Sequence, residues 1–308
     1  MRYIIFTFTI ALISTGLLGC DTWGEGSQYS NAVFSDDGQG VAAVLLTFDK
    51  KDKITHTAKK NFTSQVLMKD TTSSVKPSTL TDPMPGRTID LFYMRSEGYI
   101  ILGRETDQVV LPDGSRESEI YYDYITSEGT VISLGGGTFL TSLSCDGGNS
   151  YGPVSPPLRV IPSPDGSILA RFEAQTTCAS RTQSVTLLDA QDLTVIGGPY
   201  AVADVAKVGV GTNAMWATLD IGWTSDDSFA AAYWGSGATF ASLKATLFEA
   251  GKAPKKNVAI SSTCFHPPTT SSDVRADGTS VSIDDATGTI TLAPFTEASG
   301  YMGAFGCN

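Results

Sequence analysis

The sequence predicts an all-β fold built from a repeated antiparallel unit, on three observations. Short runs rich in Val, Ile, Thr, Tyr and Phe are separated by Gly, Asp, Ser and Pro, residues that favour strands and turns respectively. No apolar run keeps a helical period for more than about two turns. One turn sequence returns several times along the chain, and 31 Gly and 14 Pro among 308 residues supply turn formers for many strands.

The first element stands apart from that body. MRYIIFTFTIALISTGLLG carries one cation, Arg2, and then an apolar run from Ile4 to Leu18 broken only by Thr, Ser and Gly. A charged start, an apolar middle and a small-residue end make an export signal, and the run is short of the ~20 residues a spanning helix needs. Residues 1–19 are therefore expected to be removed. The stretch Leu17-Leu18-Gly19-Cys20 at its end resembles the lipobox of bacterial lipoproteins. The resemblance implies that the Cys20 thiol receives a diacylglycerol, that cleavage leaves Cys20 first, and that acyl chains such as palmitate anchor the protein, each buried CH₂ adding about 0.8 kcal/mol. It also implies a place in the bacterial cell envelope, on the inner or outer membrane, with the body in the periplasm or at the cell surface. Residues 20–30 contain few apolar residues and two glycines, and read as the acylated Cys and a flexible tether.

From residue 31 the repeat begins. VFSDDGQGVAAVLLTF from Val33, VIPSPDGSILARFEA from Val160 and IGWTSDDSFAAAYW from Ile221 share one plan: apolar residues, Ser, an acidic pair or Pro-Asp, Gly or Ser, then an apolar strand. LFYMRSEGYIILGR from Leu91 and DVRADGTSVSIDD from Asp273 are looser copies. Asp accepts backbone hydrogen bonds in such a turn, Pro presets φ, and Gly takes the left-handed conformation of a strand reversal. Further strands follow each turn, as in EIYYDYITSEGTVISL from Glu119, so each unit is a small antiparallel sheet. Units stacked around an axis would hide their faces and leave short edges. Ser163-Pro164-Asp165-Gly166 resembles the turn of TolB-like, WD40-like β-propeller repeats, which implies a β-propeller over residues 31–308. The turns recur more widely than the ~40–45 residues of a compact blade, so the expected blade number is five to seven. The alternative is two β-sandwiches divided near Ser155-Pro156-Pro157. Thr71 to Arg87 reads as a mobile, polar, proline-bearing loop.

Removing Cys20 from five cysteines leaves Cys145, Cys178, Cys264 and Cys307, an even set in an oxidising compartment, expected as disulfides whose pairing is open. Cys145 with Cys178 and Cys264 with Cys307 would close the smaller loops. No CxxC occurs and only His56 and His266 are present, a poor set for zinc or for a Ser-His-Asp hydrolase. The excess of 32 acidic over 21 basic residues argues against nucleic acid as a partner. Lys50, Lys51, Lys53, Lys59 and Lys60 form the one basic cluster, read as a solvated hairpin loop in preference to a site for anionic lipid or polysaccharide.

Two constellations remain as candidates. Asp284 and Asp285 lie outside the repeated turn and form the one acidic pair worth considering for calcium; no other cofactor is expected. Tyr122, Tyr124, Trp223 and Trp234 could give an aromatic binding face, although aromatics at such spacing more often pack a core. The expected protein is a membrane-anchored lipoprotein whose propeller is a non-catalytic platform for an envelope protein or glycan. The rival is a propeller-type hydrolase or lactonase using carboxylates in the central channel.

Overall fold

The recurrent turn is a closed hydrogen-bond network. The computed structural model describes residues 23–52, 57–73, 77–145, 149–151, 157–177, 181–202, 207–208, 215–216, 218–234, 243–259 and 279–294. In it the Ser35 hydroxyl donates to Asp37 Oδ1 at 2.5 Å and accepts the Gly40 amide at 2.8 Å, while Asp37 Oδ1 accepts the Gln39 amide at 2.9 Å. Ser163, Asp165, Ser167 and Ile168 repeat the same three bonds at 2.6, 3.0 and 3.0 Å. Gly38 and Gly166 sit at φ 68° and 78°, where a side chain is disfavoured. The fixed offsets of Ser, Asp and Gly in the sequence are thus the offsets of one turn.

The turns open antiparallel sheets whose strands follow chain order, and no helix occurs among the described residues. The first sheet holds β1 (Gly24–Phe34), β2 (Gly40–Asp52) and β3 (Thr57–Asp70), with short β4 (Ser78–Thr79) and β5 (Met84–Pro85) on β3. The second holds β6 (Arg87–Met94), β7 (Tyr99–Glu105), β8 (Val109–Val110), β9 (Arg116–Thr126), β10 (Val131–Cys145) and β11 (Asn149–Tyr151). The third is the meander β12 (Leu158–Pro162), β13 (Ile168–Thr176), β14 (Arg181–Asp189) and β15 (Val195–Ala201). After the short pair β16 (Lys207–Val208) and β17 (Met215–Trp216), the fourth is β18 (Thr218–Ser225), β19 (Ser228–Trp234), β20 (Leu243–Phe248) and β21 (Lys255–Ala259). A final hairpin pairs β22 (Thr279–Ile283) with β23 (Ile290–Pro294).

Alternation along the strands shows how the sheets stack. In β6, Leu91 and Tyr93 join Ala42, Val44 and Val66 of the first sheet, while Phe92 and Met94 join Leu158, Val160 and Phe172 of the third. Both faces of the second sheet are therefore buried, which is why LFYM and YIIL read as unbroken apolar runs. The core on its third-sheet side continues into Trp223, Phe229 and Phe248 of the fourth. Trp223 Nε1 donates to the Ile161 carbonyl at 3.1 Å, so this indole links the third and fourth sheets. The first sheet has a second neighbour as well. Val41 points away from Ala42 and packs with Phe34, Val281 and partly buried Ile290 of the last hairpin, and the Tyr29 amide donates to the Asp285 carbonyl at 2.9 Å.

Three expectations change. The tether assigned to residues 20–30 is cut short, because β1 begins at Gly24 and pairs with β2 from Gly24↔Lys50 onward. Thr71 to Arg87 is stitched to β3 where it is described: β4 and β5 pair with it, the Leu80 amide donates to Val66 and the Gly86 amide to Phe62. A division into two sandwiches near residue 155 is not found, since one core cluster spans both sides of that point.

Candidate functional site

The aromatics singled out in the sequence are structural where their side chains are described. Tyr122 is fully buried in β9, Tyr124 is 8% exposed and stacks on Tyr99 at 4.8 Å between ring centroids, and Trp223 is fully buried against Phe229. As members of the shared core they offer no binding face, which corrects the expected contact surface; the physical reason is that both faces of the second sheet are covered. Trp234 is the last residue of β19, and its side chain lies outside the described residues. Tyr121, on the opposite face of β9, is partly exposed with the Arg104 guanidinium 5.4 Å from its ring.

Tyr122 leads instead to a polar cluster that the sequence reading missed. Its hydroxyl donates to Asp90 of β6, and Arg159 of β12 makes a forked pair with the same carboxylate, Nε to Oδ2 at 3.0 Å and an Nη to Oδ1 at 2.9 Å. Burial and the neighbouring Asp90 carboxylate raise the Tyr122 hydroxyl well above its ordinary range. Burial alone would lower Arg159, but Asp90 outweighs it and raises the guanidinium. The forked pair and the Tyr122 hydrogen bond tie β6 and β9 of the second sheet to β12 of the third. Arg104 and Asp123 form a second such pair at 2.6 Å, with side chains 9% and 6% exposed. No sequence signal joins Asp90 to Arg159, because their partnership depends on the sheet stacking.

Asp284 and Asp285 lie in the hairpin turn between β22 and β23, outside the repeated Ser-x-Asp turn. Its Oδ1 accepts the Ala286 and Thr287 amides and the Thr287 hydroxyl at 3.2, 2.7 and 2.7 Å. Hydrogen bonds from Thr287 hold its carboxyl below the ordinary range. Asp285 contributes its carbonyl to Tyr29. Among the described residues no three His, Cys, Asp or Glu side chains come together as metal donors. Cys20, Cys178, Cys264, Cys307, His56 and His266 lie outside the described residues, and of Cys145 only the backbone, at the end of β10, is described.

A concavity lies at the end of the first sheet remote from its Ser35–Gly40 turn. It is a groove of about 720 Å³ lined by Glu25, Gly26, Thr47, Phe48, Lys50 and Asn61 among others. Gly26 is required there, since a Cβ would fall 2.6 Å from the Phe48 ring. Asn61, at φ 53°, is held by Asp49 through its side chain and by Asp107 through its amide. The groove is polar and open, and its charged rim can take a hydrophilic ligand.

No family model matches the chain, and no curated protein matches it. Among solved structures, that of a Mycobacterium tuberculosis puromycin-hydrolyzing peptidase aligns with a TM-score of 0.27 and 13% identity over 86% of this chain and 43% of that one. A likeness of that size carries no argument, and the chain spans less than half of that protein's length.

Proposed function

We propose that the chain is an exported lipoprotein, acylated at Cys20, whose β-propeller body serves as a non-catalytic platform for an envelope protein or glycan. The observation that supports the reading is the stacking of the sheets. Sheets pack in chain order from first to fourth, and the final hairpin returns to the free face of the first. Stacking in that order is what a propeller requires, and contact of the fourth sheet with the last hairpin would complete a ring that makes a rigid support. Among the described residues Asp37, Asp90, Asp165 and Asp284 hold turns or seams, and the polar groove beside the N-terminal strand offers a surface for a ligand.

The test has two arms. Crosslinking in intact cells should capture a reproducible partner through the groove, and Glu25→Ala with Lys50→Ala should reduce capture while leaving thermal stability within about 1 kcal/mol. Crosslinks that never involve the groove would overturn this assignment. For the ring, a double-mutant cycle between Phe34→Ala and Val281→Ala should show coupling of at least about 0.5 kcal/mol. Strict additivity would contradict closure of the first sheet on the last hairpin.

A further inference from the structure

The groove has a basic rim built on one strand pair, β2 and β3. Lys50 and Lys59 stand directly opposite one another in the β2–β3 ladder, an arrangement of like charges that destabilises a sheet. Lys59 Nζ finds only a neutral acceptor, Gln28 Oε1 at 2.6 Å, and lies over the Phe48 ring. Lys60 lies over the ring of Trp23, 4.3 Å from its centroid, and Trp23 is 41% exposed. Among the described residues none of Lys50, Lys59 and Lys60 forms an ion pair, while Lys252 and Lys255 share Glu249. Glu25, Asp49 and Asp107 share this end, and Asn61 donates to Asp49 Oδ2 through its side chain and to Asp107 Oδ2 through its backbone amide.

Position supplies the occupant. Trp23 is three residues after Cys20 and β1 starts one residue later, so the chain between Cys20 and Gly24 reaches at most about 14 Å at ~3.6 Å per residue. Gly24 is the cross-strand partner of Lys50, which places the lysines beside the point where the chain leaves the sheet. The other end of the sheets carries the Asp36–Asp37, Asp165, Asp192 and Glu249 turns and is dominated by carboxylates. An anionic leaflet attracts the first end and repels the second, and Trp beside Lys suits the headgroup level.

Resting on acylation at Cys20, we infer that Trp23, Lys50, Lys59 and Lys60 form a docking surface for the anionic phospholipid headgroups of the leaflet holding the anchor. The acyl chains hold the protein to the membrane, and this surface sets its orientation, with the acidic turns facing away. The groove then opens at the membrane surface.

The test uses the purified mature protein, in detergent and in vesicles of phosphatidylcholine with or without phosphatidylglycerol, and reads lysine modification by mass spectrometry. Labelling of Lys50, Lys59 and Lys60 should fall at least about five-fold in the anionic vesicles only, the effect of one surface lysine, and return at high salt. Lys252 and Lys255 should label equally throughout. In a Lys50→Gln/Lys59→Gln variant the acylated protein should remain in vesicles while protection of Lys60 is lost. The mass of the N-terminal peptide separates the two claims. An unmodified Cys20 overturns both; an acylated protein whose lysines label equally in all settings, or are protected only by a soluble anionic glycan, overturns the docking surface alone.

Discussion

The two ends of the first sheet handle charge in opposite ways. At the turn end, Asp37 takes its hydrogen bonds from Ser35 and Gln39, and Asp36 reaches across to accept the Arg95 and Ser96 amides of the next sheet at 2.8 and 3.2 Å. Arg95 answers with contacts to Asp37 at 3.6 Å and Asp70 at 3.1 Å. Tyr99 continues the chain of contacts, donating to the Gly166 carbonyl of the third sheet at 2.7 Å. At the other end, lysines face each other across a ladder and rest on aromatic rings. One end is internally satisfied, and the other keeps charge available for something outside the chain. Hydrogen bonds and ion pairs made within the chain serve folding; a like-charged edge does not.

The comparison can be broken most severely at the seam. Asp90→Ala would leave Arg159 and the Tyr122 hydroxyl without their acceptor between two sheets, and should cost about 3 kcal/mol, measured as a fall in denaturant midpoint. An unchanged midpoint would mean the seam contributes nothing. Gly166→Ala comes next. Its Cβ would lie 2.7 Å from Met94 Cε and 2.9 Å from Glu97 Cγ at φ 78°, so a loss of roughly 2 kcal/mol is expected. The cost should be accompanied by loosening of Tyr99, read from its ring exchange by NMR.

Acid should then separate the ends. Burial tends to raise Asp37 and Asp165, but hydrogen bonds from Ser35 and Gln39, and from Ser163 and Ser167, win and leave both carboxyls below their ordinary value. A lowered folded-state pKa means stability that is present above the unfolded value near 3.9 and lost as pH falls through the folded one. Hydrogen exchange at the turn amides should therefore accelerate below about pH 4 before the lysine edge changes, and Asp165→Asn should remove part of that dependence. The smallest effect belongs to the edge itself: Lys50→Gln with Lys59→Gln should leave stability unchanged or raise it by up to about 1 kcal/mol, because a like-charge pair is relieved. A clear destabilisation would show that these lysines have a structural partner.

Much of the architecture was legible because it is written in local chemistry. Ser163-Pro164-Asp165-Gly166 and Ser35 to Gly38 are the same turn in sequence and the same network in space. The copy at Arg95 to Gly98 reads poorly for a physical reason: its carboxylate acceptor is Asp36, supplied by a neighbouring sheet. The glycine run Gly135 to Gly137 lies at an irregularity of β10. Gly135 has φ 137° at a bulge in β10, and a Cβ on Gly136 would meet Tyr121 at 2.3 Å. Aromatic residues misled because alternation assigns a side but not what covers it. Tyr122 and Tyr124 do share a face, yet that face meets the third sheet. The tether misled because a polar, glycine-bearing strand resembles a linker: Gly24 to Ser30 gains its order from pairing with β2.

The measurement that bears most directly on the account is the mass of the N-terminal peptide of the protein isolated from the membrane fraction of its own cells. The account predicts a chain beginning at Cys20, heavier than its sequence by a diacylglycerol and any further acyl group. A chain that begins elsewhere, or a Cys20 that carries no lipid, would contradict it.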